Sequence, residues 1–109
     1  MSSDSAPAEG WKDDGGKVRM GLLADFGNAL REVARVSQYG IEKYGSRDGW
    51  KRVPRARDRY TDALWRHLTV SGANEEDGGL LHEAQAAWNA LALLELAVCE
   101  RNGGGGGHT

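Results

Sequence analysis

One segment constrains this chain more than any other. From Ala84 to Cys99 it reads Ala-Gln-Ala-Ala-Trp-Asn-Ala-Leu-Ala-Leu-Leu-Glu-Leu-Ala-Val-Cys, apolar on nearly every side of a helix. A helix of that kind is stable only when other protein surrounds it. The run falls short of the ~20 apolar residues needed to cross a bilayer, so burial inside protein is the expected solution. The chain has 109 residues, and its ends offer little to bury: Met1 to Gly16 is mostly Ser, Ala, Pro, Gly and acid, and Asn102 to Thr109 contains five consecutive glycines. Neither end can offset the entropy of ordering itself. The expected organisation is therefore a flexible segment over 1–16, one helical domain over 17–101 and a flexible tail over 102–109. A core of that size is marginal alone, so association with further copies of the chain is expected to complete it.

Two more helices are expected around the apolar one, giving an all-α domain of three main helices. Leu23, Phe26, Leu30, Val33 and Ala34 recur at helical spacing, which predicts a helix over about Leu22 to Tyr44 with a break or bend near Tyr39-Gly40. The second starts after Pro54, carries Tyr60, Ala63, Leu64, His67 and Leu68 on one side, and stops at Ser71-Gly72. The third is expected from Leu80 to about Arg101, with acids before it and Arg101 at its end, the polarity a helix dipole favours. No strand is expected.

Single Cys99 excludes an internal disulfide and a multi-cysteine zinc site, and near the end of an apolar helix it is expected to be a buried thiol. Without an apolar span or a secretory start, a cytoplasmic location is expected. Net charge is −2, yet of 14 Lys and Arg residues all but Arg101 lie between Lys12 and Arg66. The dense portion, Arg47, Lys51, Arg52, Arg55, Arg57, Arg59 and Arg66, is interrupted by Asp48, Asp58 and Asp62. Such a stretch suits phosphates, or forms a solvated surface with local ion pairs.

Polar residues on the apolar faces carry the chemistry. His82, Gln85 and Asn89 fall at i, i+3 and i+7 of the third helix and so project from one side. A buried amide without a partner costs about 1–3 kcal/mol, so either neighbouring helices or a ligand must satisfy this line. Glu32 on the first helix and His67 on the second also sit beside apolar stripes, and a carboxylate with two imidazoles suits a divalent metal. Asp77 and Glu83, near the start of the third helix, offer further oxygens, or simply answer its dipole.

The residues also bring a family into view. The succession Asp14-Gly15-Gly16-Lys17-Val18-Arg19, Glu32-Val33-Ala34-Arg35-Val36, Tyr39-Gly40, Lys43-Tyr44-Gly45, Trp50, Arg66-His67-Leu68, Gly79-Leu80-Leu81-His82 and Ala86-Ala87-Trp88-Asn89-Ala90-Leu91 resembles the phage dATP/dGTP diphosphohydrolase N-terminal domain. The resemblance implies a MazG-like helical enzyme that releases pyrophosphate from a purine deoxynucleoside triphosphate with Mg²⁺ or Mn²⁺, in phage nucleotide-pool remodelling in the host cytoplasm. It implies Glu32, His67 and His82 as catalytic groups, Glu32, His82 and Asp77 as metal ligands, and Lys17, Arg19, Lys43, Arg66 and Asn89 as substrate contacts. Two departures accompany it: Gln85 stands where a second histidine would complete His-x-x-His, and the MazG-like Glu-x-x-Glu and Glu-x-x-Asp pairs are absent. A nucleotide- or nucleic-acid-binding module without turnover is the alternative. The chain lacks the aromatic and basic interleaving of RNA- or DNA-binding modules, which ranks nucleic acid behind a nucleotide.

Overall fold

The computed structural model describes residues 15–103, and these are mostly helical. Three helices dominate: α1 (Gly27–Tyr44), α2 (Ala56–Leu68) and α3 (His82–Gly103). A 3-10 turn, Met20–Phe26, leads into α1, and a second, Gly49–Arg52, sits between α1 and α2. The expectation of flexible ends falls largely on residues outside those described, although α3 runs two residues past Arg101.

Helix α1 passes through Gly40 without a break. Glycine inside a helix lowers its stability but does not force a break, and the stop comes instead at Gly45, whose φ of 80° is the left-handed cap that releases the chain. Helix α2 begins behind Pro54, and Arg55 at its start adopts φ 55°, a conformation that costs a non-glycine residue roughly 1–2 kcal/mol. Its guanidinium reaches forward to Asp58 at 3.2 Å.

Between α2 and α3 the chain forms a two-residue antiparallel ladder the sequence reading did not expect: β1 (Ala73–Asn74) pairs with β2 (Leu80–Leu81). No hydrophobic alternation can reveal so short a pair. It exists because Asn74 and the two glycines turn the chain around Glu75–Asp77. The Asn74 side chain accepts from the Glu76 amide at 3.1 Å, and the Gly79 amide donates to the Asn74 carbonyl at 2.8 Å. Gly78 has φ 68°, and a Cβ there would stand 3.1 Å from the Tyr39 ring, so this turn is also seated against α1.

Helix α3 packs against both neighbours through small side chains. Its buried residues are Ala84, Gln85, Ala86, Asn89 and Ala92. Helix α2 runs alongside it: Arg57 near the start of α2 makes a two-pronged ion pair with Glu100 near the end of α3, and His67 near the end of α2 meets His82 at the start of α3. Three aromatic rings, Trp50, Tyr60 and Trp88, pack edge to face with centroids 5.6–6.1 Å apart and tie the second 3-10 turn, α2 and α3 together.

Burial of α3 on every side is not found within one chain. Leu91 is 48% exposed and Leu94 59%. Cys99 is likewise exposed, its thiol set against Glu95 at 3.6 Å, which corrects the expectation of a buried thiol. It lies seven residues beyond Ala92, the last buried position on α3.

Candidate functional site

A cleft of about 1040 Å³ opens between α1, the second 3-10 turn, α2 and α3. Its basic side is built by periodicity. Arg59, Asp62, Ala63 and Arg66 fall at i, i+3, i+4 and i+7 on α2, so one face of that helix presents two guanidiniums with a carboxylate between them. Arg47, from the loop after α1, adds a third guanidinium. Among the described residues, none of these three arginines has a carboxylate within ion-pairing distance, in contrast to Arg35, Arg52, Arg55 and Arg57. Unneutralised cations on a concave wall attract an anion.

The apolar side carries Trp50, Tyr60 and Trp88, held in place by two hydrogen bonds. The Tyr60 hydroxyl donates to the Trp50 carbonyl at 2.6 Å, and Trp88 Nε1 donates to Ser37 Oγ at 2.9 Å, linking α3 to α1. Burial raises the Tyr60 phenol above its ordinary pKa, so it stays a hydrogen-bond donor.

The floor is a polar network. Asp77 Oδ2 accepts from Gln85 Nε2 at 2.9 Å and Asn74 Nδ2 at 3.3 Å, while Lys43 Nζ lies 3.5 Å from Oδ1. Gln85 Oε1 in turn accepts from Asn74 Nδ2 at 2.9 Å. Burial opposes ionisation of Asp77, but the Gln85 hydrogen bond and the Lys43 ammonium outweigh it and hold the carboxyl below its usual range. Lys43 is held above its usual range, by Tyr44 first and Asp77 after it, and its ammonium stands 5.4 Å from the Tyr44 ring centre and 5.8 Å from that of Tyr39. Asn89 lines the cleft with its Nδ2 donating to the Gln85 carbonyl, one turn back, at 2.8 Å. The line of polar residues on α3 is thus satisfied from within the chain.

Of the residues singled out in the sequence, Lys43, Arg66, Asp77 and Asn89 meet in this cleft. His67 and His82 meet each other instead, Nδ1 to Nδ1 at 2.9 Å, and His67 faces a second hollow of about 540 Å³ beside Leu64, Glu83 and Ala86. Burial first, then the charges of His82 and Arg66, keep His67 below its ordinary pKa, so its imidazole is neutral at pH 7. Glu32 lines neither hollow and pairs with Arg35 along α1 at 3.4 Å. Lys17 and Arg19 lie in the exposed lead-in before the first 3-10 turn. From the arginine-rich stretch the cleft takes Arg47, Arg59 and Asp62, and from elsewhere Gln85, Trp50, Tyr60 and Trp88; the i, i+3, i+7 spacing of Arg59, Asp62 and Arg66 was the signal available for two of these, Arg59 and Asp62.

A resident Mg²⁺ of the kind the resemblance implies finds no ready set of donors in one chain. Among the described residues no three His, Cys, Asp or Glu side chains come together, and the best-placed carboxylate, Asp77, already receives Lys43, Gln85 and Asn74.

A family model described as dATP/dGTP diphosphohydrolase, N-terminal, matches residues 7–104. No curated protein and no solved structure matches the chain. Among the described residues, no helix is long and apolar enough to cross a membrane.

Proposed function

The chain belongs to the dATP/dGTP diphosphohydrolase N-terminal family, and from that premise we propose that it hydrolyses purine deoxynucleoside triphosphates to monophosphate and pyrophosphate in the cleft between α1 and α2. The observation that carries this reading is the row of unpaired guanidiniums, Arg47, Arg59 and Arg66, in the same hollow as an aromatic wall. Triphosphate charge needs the first and a purine ring suits the second. The hollow lies at the upper end of the roughly 300–1,000 Å³ typical of small-ligand sites.

In this reading the arginines bind the phosphate oxygens and stabilise the charge that grows on them as the chain of phosphates breaks. Water attacks the α-phosphorus, the bond from that phosphorus to the α–β bridging oxygen breaks, and pyrophosphate leaves with that oxygen. Asp62, between Arg59 and Arg66, accepts the proton of the attacking water. Lys43 and Asn89 position the substrate from the floor. Mg²⁺ or Mn²⁺ enters as part of the substrate, bound to the triphosphate, and the donors of the chain are not asked to hold it in advance. Catalysis in the cytoplasm of a phage-infected cell, acting on the nucleotide pool, is the setting this activity fits.

We also assign the working form as a homo-oligomer. Among the described residues no large side chain is fully buried, while Met20, Leu22, Leu23, Phe26 and Leu30 are 42–67% exposed. Exposed apolar residues so close in sequence support this reading. The test of function is to incubate the full chain with each deoxynucleoside triphosphate and Mg²⁺ or Mn²⁺ and identify the products. Deoxynucleoside monophosphate with pyrophosphate, from dATP and dGTP before dCTP and dTTP, is expected. Tight binding of the triphosphate without products would favour a nucleotide-binding module instead, a reading supported by the saturated carboxylate of Asp77.

A further inference from the structure

The function just proposed leaves the two histidines between α2 and α3 unused. Their arrangement is specific. The Nδ1 atoms of His67 and His82 face each other at 2.9 Å, the rings are tilted by 39° with centroids 5.2 Å apart, and both side chains are half-buried. Two nitrogens bound to one ion through bonds of ~2.0–2.1 Å stand roughly 2.9–3.4 Å apart for ligand angles between a right angle and a tetrahedral one. The observed separation falls in that interval.

We infer that His67 and His82 form a two-imidazole site for a borderline divalent ion of the Zn²⁺, Ni²⁺ and Co²⁺ class, with both Nδ1 atoms as ligands. One observation points to this class and away from Mg²⁺, and two more concern room for other ligands and the fixed frame. Both donors are imidazole nitrogens, which borderline ions prefer and hard ions do not. His67 also lines the hollow of about 540 Å³, which His82 does not, so there is space beside one of the two rings for water or an anion. The frame is also fixed before any ion arrives: the His82 amide donates to the Gly72 carbonyl at 2.8 Å, and the Gly72 amide donates to Glu83 at 3.2 Å. This holds the first turn of α3 against the chain leaving α2.

Without metal, one ring donates its Nδ1 proton to the lone pair of the other. Binding requires that proton to move to Nε2 of the same ring, a change of tautomer with no net loss from the neutral pair. The inference does not rest on turnover in the main cleft, and either can fail alone.

The test titrates Zn²⁺ and Ni²⁺ into the full chain by calorimetry, with Mg²⁺ as the control. One Zn²⁺ or Ni²⁺ per chain is expected, with no Mg²⁺ bound at the same concentration. His67→Gln and His82→Gln should each weaken Zn²⁺ binding at least about tenfold, since even the outer partners of a metal-bound histidine are worth that much. His108→Gln, in the tail, should leave it unchanged. Because the first two variants also cut a link between α2 and α3, histidine ¹⁵N spectra of the unaltered protein provide a second reading. Saturating Zn²⁺ should shift the Nδ1 resonances of two histidines and leave Nε2 protonated. Undiminished binding in both variants, coordination through Nε2, equal binding of Mg²⁺, or no uptake of Zn²⁺ and Ni²⁺ would each overturn the site.

Discussion

The α2–α3 pair and the first half of α1 solve the same problem in opposite ways. Helices α2 and α3 are fastened at both ends, by Arg57 with Glu100 at one and His67 with His82 at the other, and the small side chains of α3 let them approach along their length. Among the described residues, the side-chain hydrogen bond and ion pair that fasten helix α1 to the rest come from its second half, where Ser37 meets Trp88 and Lys43 meets Asp77, and Tyr39 there meets the Gly78 turn. Its first half, with the 3-10 turn before it, leaves Phe26 58% exposed and Leu23 46%. One chain thus completes the wall that carries the arginines and leaves an apolar edge unfinished beside it. The cleft lies on the finished side of that division, which is why a single chain already shows it.

The largest effect should come from the unfinished edge. Phe26→Asp combined with Leu30→Asp removes two apolar side chains, each worth about 1.5–3 kcal/mol when buried, from the proposed subunit contact. The dissociation constant of the oligomer should rise by about 10²–10⁴-fold. Sedimentation at micromolar concentration should then give the mass of one chain, and an unchanged mass would place the interface elsewhere. The next effect belongs to the finished wall. Arg59→Ala or Arg66→Ala should lower kcat/KM for dATP and dGTP by about 10²–10³-fold, the usual consequence of removing one donor that stabilises transition-state charge. Helical content by circular dichroism should not change, because neither guanidinium pairs with a carboxylate among the described residues.

The same division explains how much of the molecule the sequence disclosed. Helices α1, α2 and α3 were legible because their apolar residues recur at helical spacing and because Pro54 and Gly45 punctuate them. The two-residue ladder at Ala73–Asn74 was not, since hydrogen bonds from Asn74 and the left-handed glycines make it. Lys43, Arg66, Asp77 and Asn89 were singled out and do meet in one hollow, whereas Glu32 lies one turn before Val36, where the α1 lining of that hollow begins, and pairs with Arg35 instead. Spacing tells which residues share a face of one helix. It does not tell which faces of two helices meet, and the meeting of His67 with His82 in place of Glu32 is decided by the turn between α2 and α3. Cys99 failed for a related reason: an apolar sequence predicts burial, but not which of its positions face a neighbouring helix.

A smaller effect sharpens how α1 is attached. Ser37→Ala removes the acceptor of the Trp88 indole, a bond of about 0.5–1.5 kcal/mol, and should lower the melting temperature by about 4–8 °C per kcal/mol lost in a domain of this size. The lost fastening is on the α1 side, so its cost should add to that of Arg57→Ala, which acts on the other pair. A double variant whose loss differs from the sum by more than about 0.5 kcal/mol would show that the two regions are coupled.

The smallest effect is expected at the far end of the α2–α3 pair. Arg57 holds Glu100 with two hydrogen bonds, one of them Nε to Oε2 at 3.2 Å, and joins positions 43 residues apart, so inspection alone suggests an important contact. Both side chains are nevertheless about half exposed, at 47% and 59%, and solvent-exposed ion pairs are worth at most about 1 kcal/mol. Arg57→Ala should therefore cost no more than that in urea unfolding, and the difference from the unaltered chain should shrink in 1 M salt, where the screening length falls to about 3 Å. Turnover should stay unchanged, because Arg57 lines neither hollow. Loss of activity comparable to that of Arg66→Ala would mean that the phosphate-binding wall extends along the whole of α2 and is not confined to the face that carries Arg59, Asp62 and Arg66.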